Sequence, residues 1–345
     1  MTMQGFAWAT ARTVAEAALA ASTTVADAMA AAPDVASRGG ISIVKAGGID
    51  LLDLLKENLV APGTLVSLKE IPELSAIIEE PSGGLRIGSM VTLATVAMDP
   101  VVRHRYPALT DAVGSSASPQ IRNVATLGGN LLQRPRCWYL RAAEHRCLRK
   151  GGDHCFAVPG ENQYHAIFGN TYCAIVHPST AATVLVALGA SVELTNAAGA
   201  VRRVVLEDFF VSPDQDIERE NDLKPHEILT AILLPPRGGT RTVHLKQGEK
   251  DSFDWSLADV AVTLDLDAEG RCRHAVVVLG AAAPVPYRAK AAEAALAGKR
   301  IDNNIASQAA VAALKDATPL TKNAYKLPLF ATLVRRAILK AMVRI

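Results

Sequence analysis

The run Ile121-Arg122-Asn123-Val124-Ala125-Thr126-Leu127-Gly128-Gly129-Asn130-Leu131 leads into a segment that closes with Cys173-Ala174-Ile175-Val176-His177-Pro178-Ser179. Its first part is a glycine turn flanked by polar side chains. Glycines let backbone amides approach a phosphate without side-chain interference, and Thr126 and Asn130 offer further hydrogen bonds. Cys137, Cys147 and Cys155 lie between the two ends, so with Cys173 the stretch holds four of the chain's five cysteines. An anion-binding turn running into a cysteine-rich insertion predicts two cofactors held close together. That pairing suits electron transfer better than group transfer.

A second glycine turn lies upstream. The β-branched run Ile41-Ser42-Ile43-Val44 predicts a strand. It continues into Lys45-Ala46-Gly47-Gly48-Ile49-Asp50, and Leu51-Leu52-Asp53-Leu54-Leu55-Lys56 opens a helix. A strand, a paired-glycine turn and a helix leave free backbone N–H groups at a helix N-terminus, where they bind anions. A single glycine pair reads equally well as a tight connector with no ligand; two such turns weigh against that. Neither turn has the GxGxxG spacing, or the acidic residue about 20 positions on, of a Rossmann site. Neither is a Walker sequence. A dinucleotide bound here sits in another fold.

The cysteines of the insertion are separated by nine, seven and seventeen residues. With no CxxC pair, the zinc-ribbon and bacterial ferredoxin spacings are both absent. Four thiolates on a long irregular loop are able to wrap a cubane cluster, because iron–sulfur centres need soft ligands and tolerate varied loops. Spacing alone leaves a [4Fe-4S] cluster, zinc and no metal all open. Arg134, Arg136, Arg141, Arg146, Arg149 and Lys150 surround the first two cysteines. Such charges are expected to lower thiol pKa values and to stabilise an anionic cluster. His145, His154 and His165 read as surface or supporting residues rather than ligands. Cys272 falls in a β pattern and reads as a buried small hydrophobe.

At 345 residues the chain is expected to form two or three domains. Half of it is hydrophobic and a fifth is charged, as in a soluble globular protein. A formal net charge of +2 argues against a nucleic-acid binder. No stretch reaches the roughly 18 uncharged apolar residues that a membrane span needs. Glu16 and Asp27 interrupt the alanine-rich start, which therefore does not read as a signal peptide. Periodicity predicts helices over 14–32, 93–98, 106–113 and 180–188, the first ended by Pro33 and the Gly39-Gly40 pair. Strands are predicted over 65–68, 85–91, 191–195, 201–206 and 228–234. The run Pro235-Pro236-Arg237-Gly238-Gly239 is the clearest linker and places a boundary near Thr240. The domains expected are therefore 1–238, with the cysteine insertion at about 131–178, and 239–345. The second carries strands over 260–266 and 274–279, then helices over 289–297, 305–315 and 327–342.

Together these residues resemble the flavin subunit of the molybdenum hydroxylases, the xanthine dehydrogenase family, over nearly the whole chain. Lys45 to Leu52 looks like that family's first diphosphate loop, usually written AGGTDL. Ala125 to Asn130 looks like its second, TxGGN, and Leu85 to Met90 like its LxIGA strand and turn. Glu227-Ile228-Leu229 and His244-Leu245-Lys246 resemble the segments that close the first domain and open the second. The cysteine insertion narrows the match to the flavin subunits of bacterial periplasmic aldehyde oxidoreductases. The flavin subunit of 4-hydroxybenzoyl-CoA reductase is similar in carrying an extra cluster, and is the alternative reading.

The resemblance implies an α+β fold. A two-part FAD-binding domain of the vanillyl-alcohol-oxidase-like type precedes a smaller α+β C-terminal domain with an antiparallel sheet and helices. Implied FAD contacts are Lys45, Ala46, Gly47, Gly48, Ile49, Asp50, Leu51 and Leu52, then Thr126, Gly128, Gly129 and Asn130, with Leu229 and Lys246 beside the flavin. Cys137, Cys147, Cys155 and Cys173 are the implied ligands of a [4Fe-4S] cluster. Ile49 replaces the family's usual Thr or Ser, Thr180 stands where Asp is usual, and Lys250 stands near a usual Arg. The implied partners are a molybdopterin-binding large subunit, a [2Fe-2S] small subunit and an external electron acceptor, with aldehyde oxidation on the large subunit. The location expected is cytoplasmic, or periplasmic if a signal-bearing partner carries the chain out. A self-contained flavin oxidase of the vanillyl-alcohol type and a zinc-stapled interaction module are the rival classes. No nucleophile–base constellation appears, so no side chain is expected to act as catalytic acid or base.

Overall fold

A computed structural model of the chain describes residues 5–30, 40–250 and 253–343. The chain forms two compact units, neither continuous in sequence. One comprises Met1–Leu93, Gln120–Phe156 and Ala190–Leu234; the other comprises Ala94–Pro119, Ala157–Gly189 and Pro235–Ile345. The last crossing, between Leu234 and Pro235, falls at the Pro-Pro-Arg-Gly-Gly run.

The first unit carries two sheets. Strands β1 (Ala7–Thr10), β2 (Ser42–Lys45) and β3 (Thr64–Ser67) form a parallel sheet in the order β1-β3-β2. Strands β4 (Ile77–Glu79), β5 (Leu85–Gly88), β6 (Ser191–Asn196), β7 (Val201–Val205) and β8 (Glu227–Leu234) form an antiparallel sheet in the order β4-β5-β8-β6-β7. The apolar run of β8 suits a central strand, which is covered on both faces. The 14–32 helix expected from periodicity is instead two helices, Val14–Ala20 and Val25–Ala30. Thr24 starts the second. Its Oγ1 accepts from the Asp27 amide at 3.1 Å, and its own amide reaches Asp27 Oδ2 at 3.4 Å. That reciprocal pair is a capping arrangement, which competes with continuing a helix through Ser22 and Thr23. Residues 31 and 32, Pro33 and Gly39 lie outside the described residues.

The second unit is built on an antiparallel sheet, β12-β11-β10-β9, from β9 (Arg241–Gln247), β10 (Ala258–Leu266), β11 (Cys272–Gly280) and β12 (Tyr287–Arg288). Helices Thr180–Ala187 and Lys326–Met342 both pack against β10. Seven consecutive residues from Ala258 to Leu264 are consequently buried. Ser179 caps the first of these helices by accepting from the Ala182 amide at 3.0 Å, and all eight helical residues are buried. Strand β9 was not expected, because in its sequence RTVHLKQ only Val243 and Leu245 are apolar. The structure supplies the reason: its polar side chains are buried in pairs. Thr242 Oγ1 meets Thr263 Oγ1 at 2.9 Å, and His244 Nε2 meets Asp259 Oδ1 at 2.6 Å. Asp259 also accepts from Thr183 at 3.3 Å. Among the described residues no helix is long and apolar enough to cross a membrane.

Candidate functional site

Strand β2 ends on Lys45, and the chain turns through Gly47 and Gly48 into helix Ile49–Lys56. Gly48 holds φ at +87°, a left-handed conformation that glycine adopts without steric cost. Its carbonyl accepts from the Leu52 amide at 2.8 Å. The Lys45 ammonium folds back over its own turn, donating to the Ala46 carbonyl at 3.2 Å and the Gly47 carbonyl at 3.5 Å. Burial, and then the neighbouring charge of Lys69, pull its pKa below the ordinary lysine value. Leu51 is buried beneath this turn and Ile49 is 38% exposed.

The second glycine pair does not form an open turn. Gly128 and Gly129 occupy the second and third positions of a short helix, Leu127–Leu131. Thr126 caps it by accepting from the Gly129 amide at 3.1 Å, so the glycine amides are held in place by a side chain and by strand-like pairing. Leu93 N donates to Ala125 O at 2.9 Å, Leu127 N to Val91 O at 2.8 Å and Gly128 N to Ser89 O at 2.9 Å. An added Cβ at Gly128 would fall 2.7 Å from Ser89 Cβ. Asn130 follows directly, its carbonyl accepting from Gln133 Nε2 at 2.9 Å.

The two glycine turns meet. A Cβ built on Gly47 would lie 2.1 Å from the Val124 carbonyl oxygen, and one on Gly129 would lie 3.8 Å from Ala46 Cβ. Backbone thus packs on backbone where any side chain would intrude. Two glycine-lined turns lie together, with a lysine ammonium at the end of β2 and the Thr126 hydroxyl on the Gly129 amide. These groups fit a diphosphate, which asks for backbone amides and a cation rather than a deep apolar cleft.

Asp50 faces elsewhere. Its Oδ2 accepts from the Arg134 amide at 2.8 Å, and its Oδ1 pairs with Arg141 at 2.6 Å and Arg136 at 3.0 Å. Arg141 also reaches Asp53 at 2.9 Å. Deeper in the unit, Glu220 takes Arg149 at 2.7 Å and Arg134 at 3.1 Å, with all three side chains under 5% exposed. The arginines read as a cationic setting for thiols are therefore held largely by carboxylates. The thiol of Cys137 does not shift downward as expected. Burial pushes it up to about 11, partly offset by hydrogen bonds from the Leu140 and Tyr139 backbone, while Cys147 and Cys155 add to the rise. Asp50, Asp53 and Glu220 were not singled out as a group from sequence. The clue available was Asp50-x-x-Asp53, two carboxylates at a spacing that shares a helix face, which meet Arg136 and Arg141.

Cys137, Cys147 and Cys155 belong to the first unit and Cys173 to the second. All five cysteines are thiols outside any disulfide. Cys147 joins a core cluster with Leu51, Leu54, Leu55 and Leu140, against which Cys137 and Phe156 also pack. Tyr139 stacks on Phe156 with ring centroids 6.1 Å apart. Residues 137–156 are thus anchored by ordinary packing. Among the described residues no group of three or more His, Cys, Asp or Glu is arranged to hold a metal ion. His154 pairs with the exposed Asp153, and His165 is buried, its pKa lowered to about 4 by burial and then by Lys326. Leu229 is buried in β8, and Lys246, on β9, donates to the Ser115 carbonyl at 3.0 Å. Cys272 is buried at the start of β11, as expected.

Comparison with known proteins matches two successive stretches of the chain. Residues 5–237 match the FAD binding domain in molybdopterin dehydrogenase, and residues 243–341 match the CO dehydrogenase flavoprotein C-terminal domain. The aldehyde oxidoreductase FAD-binding subunit PaoB of Escherichia coli (strain K12) is 36% identical over 253 residues, covering 73% of this chain and 78% of that protein. Among solved structures, quinoline 2-oxidoreductase from Pseudomonas putida 86 superposes with a TM-score of 0.71 at 26% identity, over 99% of this chain and 98% of that one. Carbon monoxide dehydrogenase from Hydrogenophaga pseudoflava gives a TM-score of 0.73 at 26% identity, over 99% and 98%.

Proposed function

The chain belongs to the molybdenum hydroxylase family as its FAD-binding medium subunit, and from this premise we propose that it passes electrons through FAD in a heterotrimeric oxidoreductase acting on aldehydes. The two-domain FAD-binding fold, with an antiparallel sheet in its C-terminal part, is the one this family shares. Aldehydes are favoured because the 36% identical relative carries that substrate class in its name. In this reading the substrate is oxidised on a molybdopterin-binding large subunit, a [2Fe-2S] small subunit relays electrons, and an external acceptor takes them from the flavin. In this reading the sequence domains are assigned as 1–238 and 239–345, while the compact units of the fold interleave along the chain.

One structural observation carries the flavin site: the two glycine turns lie backbone against backbone, with Gly47 over Val124. Gly47, Gly48, Gly128 and Gly129 keep that surface free of side chains. Thr126 fixes the Gly129 amide, and Lys45 supplies the cation. The family resemblance assigns Leu229 and Lys246 to the ring system. Bound FAD supplies the redox chemistry, and the protein supplies binding, orientation and electrostatics. Asp50 serves the site through the arginines rather than by touching phosphate. The same reading assigns Cys137, Cys147, Cys155 and Cys173 to a [4Fe-4S] cluster, supported by their order directly after the second turn and by the effect of Cys147 and Cys155 on the Cys137 thiol.

Purification of the complex with FAD, molybdenum, iron and sulfide quantified, and with aldehyde-dependent reduction followed in the visible spectrum, tests the reading. Stoichiometric FAD that aldehyde bleaches is the expected result. A chain with no FAD, or a fully active dehydrogenase made from this chain alone, overturns it.

A further inference from the structure

Asp50 follows the phosphate turn by two residues, yet its whole carboxylate is engaged by the segment that carries the first cysteine. Oδ2 accepts from the Arg134 amide at 2.8 Å, and Oδ1 takes Arg141 at 2.6 Å. Arg141 then grips that segment from inside. Its Nε donates to the Pro135 carbonyl at 2.9 Å, and its Nη2 to the Arg134 carbonyl, also at 2.9 Å. Its backbone amide donates to the Cys137 carbonyl at 3.0 Å, closing the short helix Trp138–Arg141, for which Cys137 is the N-terminal cap. A second carboxylate one turn along the first helix, Asp53, takes the other end of the same guanidinium at 2.9 Å.

This is one rigid path from Gly48 to Cys137. The Arg141 and Asp50 side chains are only 12% and 16% exposed. A partly buried, multiply hydrogen-bonded arginine–carboxylate pair is worth more than a surface ion pair, and it holds direction as well as distance. On its far side the path is tied down by Arg134, whose guanidinium is buried against Glu220 at 3.1 Å. Whatever fixes the start of helix Ile49–Lys56 also fixes Asp50 and Asp53, and through Arg141 the backbone around Cys137.

We propose that Asp50 and Arg141 are positioning residues that couple occupancy of the phosphate turn to the seat of Cys137. The proposal rests on the flavin reading, since FAD diphosphate is the ligand that would occupy the turn. By linkage, a ligand that narrows the motion of one end of such a path narrows the other, and the two occupancies favour one another.

The test uses the full-length chain freed of flavin and metal. Alkylation of Cys137 by iodoacetamide is followed by site-resolved mass spectrometry, with and without saturating FAD. In the wild type FAD is expected to slow the reaction about tenfold, within the range of ordinary coupling between sites. In Arg141→Met, FAD should still bind while its protection of Cys137 falls to near nothing. FAD bound in both proteins with equal protection overturns the coupling, as does FAD bound to the wild type with no protection. Failure of the wild type to bind FAD overturns the flavin reading itself and the coupling with it. Where circular dichroism shows Arg141→Met unfolded, Asp53→Asn replaces it. That carboxylate is half exposed, so its loss should leave the fold intact and reduce the protection in part. Undiminished protection in Asp53→Asn overturns the proposal.

Discussion

The Cβ position of Gly47 lies 2.1 Å from the carbonyl oxygen of Val124. No ordinary side chain fits there, so Gly47→Ala must part the two turns. The expected outcome is a folded protein, destabilised by about 1–3 kcal/mol, that retains little flavin. Gly48→Ala meets only the flexible end of Lys45, at 2.6 Å, but must hold φ at +87°. It should cost about 1 kcal/mol in backbone strain and keep more FAD than Gly47→Ala. Flavin absorbance and thermal melting of the two variants measure both effects; full flavin occupancy in Gly47→Ala would refute the cradle.

Replacing any one of Cys137, Cys147, Cys155 or Cys173 with Ser should remove or convert a bound [4Fe-4S] centre. Cys272→Ser should leave iron unchanged, because that thiol is buried in the β11 strand. Residues 137–156 should keep their packing in each variant, since Leu140 and Phe156 hold them to the core without metal. Iron and sulfide assays on anaerobically purified complex, with this subunit resolved from its partners, provide the check. Absence of both from the wild-type subunit removes the cluster from the account.

Lys326 is wholly buried and donates to the carbonyls of Tyr164, His165 and Ala281 at 2.9–3.2 Å. Burial lowers its pKa from 10.5 to about 7. Between those values the unfolded chain binds the extra proton, so stability should rise with pH, by about 1.4 kcal/mol per unit from this group alone. Urea unfolding from pH 7 to 9 should show that rise in the wild type relative to Lys326→Met. Parallel curves for the two proteins would be the contrary result.

His177 acts on the acid side. Burial lowers its pKa from 6.5 to about 3. Its neutral form contributes fully above pH 6.5, and the contribution is lost as the pH falls toward 3, again by about 1.4 kcal/mol per unit. His177→Gln should therefore lose less stability between pH 6 and 4 than the wild type. An identical acid profile would show that the imidazole is not held neutral.

The elements with clean periodicity were legible: the strand, glycine turn and helix from Ser42 to Lys56, central strand β8, and the helices after Pro284 all stand close to where their patterns put them. What was hidden depended on partners distant in sequence. Thr242 and His244 make β9 look polar until Thr263 and Asp259 arrive beside them. Gly128 and Gly129 read as a turn because glycine disfavours helix interiors. The Thr126 cap and the contact with Ser89 override that preference. The arginines around Cys137 looked like a field for thiolates, since sequence shows their charge but not the carboxylates of Asp50 and Glu220 that take it up.

Strand β8 sits between β5 and β6 and bridges the two halves of its sheet. It is also the last strand of its unit to be made, following β5 by more than a hundred residues. During synthesis β5 must therefore wait with an open edge on the side that β8 will fill. Such edges invite pairing with other chains, and contacts of high sequence separation form slowly. The nascent chain should therefore depend on chaperones until residue 234 clears the ribosome, and any product truncated before Glu227 should aggregate rather than persist as a soluble half.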